Sequence, residues 1–207
     1  MKKEDNTEQL ILKAAEEEFL EKGFVLAKTT EIARRAGVTH AMLHYYYRTK
    51  ENLFEQVFRQ KVQLVAKSLD TAFDEQLPFA QQLETLIQVH FEFIQANPRL
   101  PFFILNEIYL DEKRRKICIP ILLPVLRRVL ANLTKALDAA AERGEIRQVN
   151  PSNLLMSIFS LNVMAGIGQP VMQAILGLNC EEMVQFMAHR KEEIFETIWS
   201  RLRIVKS

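Results

Sequence analysis

The chain has only two cysteines in 207 residues, Cys118 and Cys180. They are far apart and neither has a neighbour at zinc-ligand spacing, so both are read as reduced thiols, with no metal centre expected. No Gly-rich phosphate loop occurs. The four histidines (40, 44, 90 and 189) have no acid–base or nucleophile set arranged around them, so the reading contains no catalytic residue and no cofactor, and an enzyme is a rival set aside on that ground. No run reaches the roughly 20 apolar residues of a membrane-spanning helix. The nearest, Leu154 to Gly168, is interrupted by Ser157, Ser160 and Asn162. The charged start, Met1 to Asn6, has no apolar stretch behind it, so no signal peptide is expected and the chain is placed in the cytoplasm without a membrane partner. Strong charge of one sign is missing too. The net charge is +1, so only its distribution can speak for nucleic acid.

Glycine (6) and proline (7) are sparse, and no long stretch alternates apolar and polar residues. Helical spacing runs through almost the whole chain, which predicts an all-α fold. Ile11, Ala15 and Phe19 form one apolar stripe on a first helix beginning near Asn6, with Asn6 and Gln9 as a capping box and Gly23 as its stop. Glu16, Glu17, Glu18 and Glu21 are read as mostly elsewhere on that helix. A short second helix starts at Thr29 or Thr30 and ends before Gly37. Thr39 caps a short third helix over 40–46, and Thr49 caps a long fourth that reaches towards Phe73. Longer helices follow over about 78–97, 100–110, from Ile119 or Pro124 to Arg143, from Asn150-Pro151 onwards, and 181–203. Gly166, Gly168 and Pro170 are expected to break or kink the helix that opens at Pro151.

Thr29 to Leu53 carries the chemistry. Ala33 and Ala36 let two short helices cross closely, and Gly37 permits a positive φ in the turn between them. Ile32, Val38 and Leu43 supply a small apolar hub that holds the third helix outward, in the posture that fits a major groove with its first residues at base edges. Residues 28–50 hold five cations (Lys28, Arg34, Arg35, Arg48, Lys50) against one acid, Glu31, whereas residues 1–60 hold ten of each sign. Positive charge is thus local to the reading head, where phosphate contacts need it. Lys50 stands at a helix start, where an ammonium and free backbone N–H groups can share a phosphate. Thr29 and Thr39 offer hydroxyls, and Tyr45 and Tyr46 phenols, to phosphate oxygens, while Tyr47 is assigned to packing.

This ordered string resembles the TetR family signature. Phe19 and Gly23-Phe24 precede a Thr-…-Ile-Ala-…-Ala-Gly-Val-Thr segment, a tyrosine-rich recognition helix and a Lys-Glu-x-Leu start to the fourth helix. The likeness covers about residues 7–58. The chain departs from the family's usual recognition helix in having His40 and Met42 where lysine and threonine are common. The resemblance implies backbone contacts from Thr39, Tyr45, Tyr46 and Lys50, and base-facing roles for His40, Ala41, Met42 and His44. It implies a helix-turn-helix domain over 1–50, a connecting helix over 51–75, and a ligand-binding and dimerisation domain over 76–207. The partners it implies are double-stranded operator DNA, a second copy of the chain, and a small, apolar effector. Repression of a palindromic operator is the family's usual mode. Residues 1–60 equally suit a helix-turn-helix protein controlled by a protein partner or by no effector.

Within 76–207, polar residues on otherwise apolar faces (His90, Asn106, Tyr109, Asn162 and Gln169), with Phe159, are the candidate ligand contacts. His90 shares the inward face of Leu86 and Ile87, where a lone histidine is more often a satisfied core residue than a ligand contact. The resemblance places a dimer interface on the last two helices. There Leu155, Ile158, Met183, Phe186, Met187, Ile194, Ile198 and Leu202 form wide apolar stripes, which would also serve the core of one chain.

Overall fold

The structure, a computed structural model, describes residues 2–204, with side chains from residue 6. Among the described residues it contains nine helices and no strand: α1 (Lys2–Leu26), α2 (Thr29–Arg35), α3 (His40–Tyr47), α4 (Lys50–Asp70), α5 (Phe79–Ala96), α6 (Leu100–Tyr109), α7 (Glu112–Glu142), α8 (Pro151–Leu176) and α9 (Cys180–Leu202). The chain divides into two compact units, one of the residues through Leu64 with Phe102–Leu122, the other of Val65–Pro101 with the residues from Leu123.

Local chemistry accounts for most helix ends. The Thr39 side chain accepts from Met42 N (3.2 Å) and opens α3, and Thr49 Oγ1 accepts from Asn52 N (3.1 Å) in the first turn of α4. Asn150 caps α8 with Pro151 in its first turn, and Gly177 ends it in the left-handed region. Asn179 and Glu182 close a reciprocal capping box on α9.

Three expectations are corrected. Asn6 lies inside α1, so it caps nothing; Gly23 (φ 69°, ψ 172°) leaves the helical region and interrupts α1 where expected, with a short helical stretch beyond it to Leu26. The charged run after Leu110 becomes the first turns of α7, because Asp111 Oδ1 accepts from Arg114 N (2.9 Å) and starts that helix well before Ile119. α8 continues through Gly166, Gly168 and Pro170. Gly166 is needed for packing, since a Cβ there would collide with Ile94 Cγ2 on α5.

The first unit is built on aromatic packing. Phe54 stands edge-on to Phe19 (5.5 Å between centroids) and Phe24 (5.2 Å), and also meets Phe58 and Phe103. The second unit is an aliphatic core. Leu83, Leu86 and Ile87 of α5 meet Leu133 and Leu137 of α7, Leu154 and Ile158 of α8, and Met183, Ile194 and Ile198 of α9. Both α7 and α8 are long and apolar enough by length and composition to cross a membrane, although no uninterrupted run suggested it. In α8 the polar breaks are absorbed: Ser157 and Ser160 donate to carbonyls one turn earlier, and Asn162 points into the core.

Candidate nucleic-acid interface

α2 and α3 are joined by a turn in which Gly37 takes φ 67°. Ile32, Ala33 and Ala36 are buried on the α2 side, Leu43 and Tyr47 on the α3 side. Tyr47 donates its hydroxyl to Glu8 Oε1 (3.3 Å), and burial, followed by the charge of Glu8, pushes its phenol well above the usual value. The other face of α3 is left free: His40, Ala41, Met42, His44 and Tyr45 are all exposed, and Tyr46 is half-buried. The eight residues of α3 make a rod of about 12 Å. Thr29 Oγ1 and His40 Nε2 lie 3.0 Å apart, so two predicted contact residues from different helices share a hydrogen bond. Tyr45 and Tyr46 meet edge to face at 5.5 Å.

The cations around α3 are less free than their sequence count suggests. Arg34 pairs with Glu31, and the Arg35 guanidinium meets Glu18, Glu21 and Glu31. Those two arginines hold the Glu31 carboxyl down at about 2. Lys50 is drawn inward: its ammonium donates to the Val25 carbonyl (3.3 Å) and stands 4.6 Å from the centroid of the Phe24 ring. Burial lowers the affinity of that ammonium for its proton. Lys28 and Arg48 were not singled out as contact residues from the sequence. Both are exposed, and no side-chain bond engages either among the described contacts. Arg48 sits between α3 and α4 with φ 50°, a strained conformation for a residue other than glycine, and the Tyr47 carbonyl there accepts from Thr49 N.

Two buried carboxylates brace this head. Glu18, assigned to the polar side of α1, is fully buried, binds Lys22 (2.7 Å), and accepts from Lys28 N at 3.3 Å, just before α2 begins. Glu107 of α6, 1 % exposed, accepts from Phe24 N (2.8 Å) with Oε1 and pairs through Oε2 with Arg114 Nε. Arg114 also reaches Asp111 and stands 5.1 Å from the Phe24 ring centroid. A side chain on Gly23 would press on Glu107 Oε1 at 3.2 Å, which keeps the kink open to the carboxylate. One cue to Glu18 was available, since it lies one residue before Phe19 and three after Ala15, both on the inward stripe.

Of the candidate ligand contacts, the structure joins three. His90 and Asn162 are buried and bonded to each other (3.1 Å), and the Phe159 ring lies 4.5 Å from the His90 ring between centroids. Gln169 is half-buried further along α8. Asn106 and Tyr109 belong to the first unit, with Tyr109 82 % exposed. A cleft of about 320 Å³ in the second unit, lined by Phe73, Gln82, Asn132 and Lys135 among others, includes none of the six.

The stripes assigned to a dimer interface need correction. Leu155, Ile158, Met183, Met187, Ile194, Ile198 and Leu202 are buried in the core of the second unit, and Phe186 is half-buried against it. Their spacing reports the inward faces of α8 and α9. The opposite face of α8 carries Met156, Met164, Val171 and Ile175, each more than 60 % exposed.

Comparison with known proteins agrees with the head. Residues 11–57 match the family described as bacterial regulatory proteins, tetR family. A fatty acid metabolism regulator protein of Bacillus subtilis (strain 168) is 24 % identical over 140 residues, covering 67 % of this chain and 70 % of that protein. The HTH-type transcriptional activator FasR of Mycolicibacterium smegmatis is 28 % identical over 102 residues, 49 % of this chain and 47 % of its own. Among solved structures, the transcriptional regulator FadR from Bacillus subtilis in complex with stearoyl-CoA superposes with a TM-score of 0.67 at 20 % identity, over 90 % of this chain and 97 % of that one. At that identity the last likeness is one of fold.

Proposed function

Because the chain belongs to the TetR family of transcriptional regulators, through the DNA-binding head at residues 11–57, we propose that it is a repressor that binds a palindromic operator as a homodimer and is released by a small, apolar effector. The observation that carries the DNA-binding part is the posture of α3. Leu43 and Tyr47 anchor it, its outward residues are exposed together, and the uncompensated cations Lys28 and Arg48 flank it. Thr29, Thr39, Tyr45 and Tyr46 hold phosphates in this reading, and His40, Ala41, Met42 and His44 face bases. Lys50 joins the phosphate set when it leaves its resting place on the Phe24 ring.

A rod of this length reads only a few base pairs, so specificity calls for two copies. The outward row of α8 supports that reading, as a self-complementary patch beside α9. The effector reading is supported by the buried polar group on α5 and α8, and by relatives described as fatty acid regulators, which favour an acyl-chain compound. Effector binding would bias the second unit, and α4, whose residues belong to both units, would carry the change to the head. A coupling of about 1–3 kcal/mol is enough to matter.

The test is a mobility shift on genomic fragments flanking the chain's own gene at low ionic strength. The account expects retention of a discrete fragment set and an affinity that falls steeply with salt. Indifference to every fragment would remove the reading. Control by a protein partner draws support from the exposed apolar residues Phe102, Leu105 and Tyr109 on α6. In that case a cell extract, and no purified small molecule, would release the DNA.

A further inference from the structure

The Phe24 ring sits where the α1 kink, the α6–α7 corner and the start of α4 meet. Gly23 turns the chain with φ 69°, and Glu107 of α6 accepts from Phe24 N (2.8 Å), so the backbone beneath the ring is tied down. Other aromatics fix the ring itself. It stacks on Phe19 (6.1 Å between centroids) and stands edge-on to Phe54 (5.2 Å). Two cations reach this one ring. Lys50 Nζ lies over it, 4.6 Å from the centroid, and Arg114 Cζ lies 5.1 Å from the same centroid.

The two cations are held in different ways. Arg114 is buried, paired with Glu107 and close to Asp111, so its guanidinium is fixed in place. The Lys50 ammonium has only the Val25 carbonyl (3.3 Å) and the ring face, and no carboxylate pairs with it among the described contacts. Its surroundings pull both ways. Burial works most against its charge, Glu51 supports that charge, Arg114 opposes it, and Glu107 and Glu18 support it. A phosphate would offer the ammonium a full opposite charge in place of a carbonyl and a ring. Reaching a phosphate means giving up both resting contacts, so whatever strengthens them weakens the grip on DNA.

We propose that Phe24 is a positioning residue for DNA binding. Its ring, with the Val25 carbonyl, holds the Lys50 ammonium back from the phosphate backbone, and Arg114 on the same ring keeps that hold weak enough for a duplex to break. The inference rests on the DNA-binding reading above and adds a residue that limits affinity without touching DNA.

The test compares four full-length proteins, the parent, Phe24→Leu, Lys50→Gln and the double variant, by fluorescence anisotropy on one labelled duplex at low ionic strength. Leucine keeps apolar bulk against Phe19 and Phe54 but removes the ring face. Phe24→Leu should bind about two- to fivefold more tightly, the range of an exposed cation–π contact. Lys50→Gln should bind more weakly, with a salt slope smaller by about one. In the Lys50→Gln background, Phe24→Leu should change nothing. A merely structural role for the ring would lower affinity in both backgrounds. Unchanged or weaker binding by folded Phe24→Leu, or the same gain without Lys50, would overturn the inference. A second measurement uses the parent and does not depend on Phe24→Leu folding. The Lys50 Hε protons, assigned by difference from the Lys50→Gln NMR spectrum, should be shifted upfield by the ring in the free protein and move downfield as duplex is added. Absence of that upfield shift, or its persistence at saturation, would equally overturn the inference. A parent that binds no duplex defeats the DNA-binding reading and this inference with it, whereas one that binds duplex with Lys50 unmoved defeats this inference alone.

Discussion

Replacing Glu107 with alanine tests how the reading head is held together. The carboxylate is 1 % exposed and holds two things at once, the backbone N–H of Phe24 at the α1 kink and the guanidinium of Arg114. Removing one member of a buried ion pair costs about 3–5 kcal/mol, because the remaining charge stays desolvated. Asp111, 3.4 Å from Arg114 Nη1, partly compensates, which puts the ion-pair loss at the lower end. The Phe24 N–H would lose its acceptor as well, at about 1–3 kcal/mol, and the two losses are coupled and do not simply add. A total of about 4 kcal/mol lowers the thermal midpoint of a chain this size by roughly 8–16 °C. Circular dichroism melting measures it, and amide exchange at Phe24 localises it: that amide should exchange much faster in the variant. Glu107→Gln keeps an oxygen for Phe24 and should fall between the two. Gly23→Ala should destabilise as well, because alanine is strained at φ 69° and its Cβ presses on Glu107, so its loss should not simply add to that of Glu107→Ala. If Glu107→Ala melted within about 1 kcal/mol of the parent, the carboxylate would not be holding the kink, and the argument from burial would be wrong.

Alanine at Arg48 or Lys28 should weaken binding to all duplexes alike and reduce the slope of log affinity against log salt by about one; an unchanged slope in a salt titration would remove either residue from the phosphate set. His44→Ala should alter the selected base preference, and an unaltered selection profile from random duplexes would contradict its base-facing role. Glutamate at Met164 or Val171 should yield monomers by light scattering while leaving the helix content intact; a persisting dimer would move the interface elsewhere. His90 adds an acid-sensitive component. Its folded pKa of about 4 lies below the ordinary 6.5, so the unfolded chain takes up the proton first. This stability is whole above pH 6.5 and is lost as pH falls towards 4, by about 3 kcal/mol in all. Denaturant titrations across that window should show the slope in the parent and not in His90→Leu.

The helices and the head were legible because their causes are local. Caps such as Thr39 and Asn150 sit next to what they cap, and the Ile32–Leu43 hub is written within a dozen residues. Long-range pairings were not. Glu107 and Phe24 are 83 residues apart, and nothing in either neighbourhood announces the other. The dimer stripe went astray for a related reason: apolar spacing on α8 and α9 reports burial without saying by whom, and Ile158 and Ile194 turn out to face their own chain. Charge counting overstated the positive field because Glu18 and Glu21, outside the window counted, fold back onto Arg35. His90 and Asn162 were found together because a polar residue on an apolar helical face stands out at 3.6 periodicity.

The central claim is that two copies of α3 engage one duplex in step. Selection of binding sites from the chain's own genomic fragments, followed by titration of the recovered duplex in a sedimentation experiment, tests it directly. The account predicts an inverted repeat, with half-site centres about 34 Å apart or a multiple of that spacing, saturating at two or a larger even number of chains. A recovered sequence without two-fold symmetry, or saturation by a single chain, would contradict it.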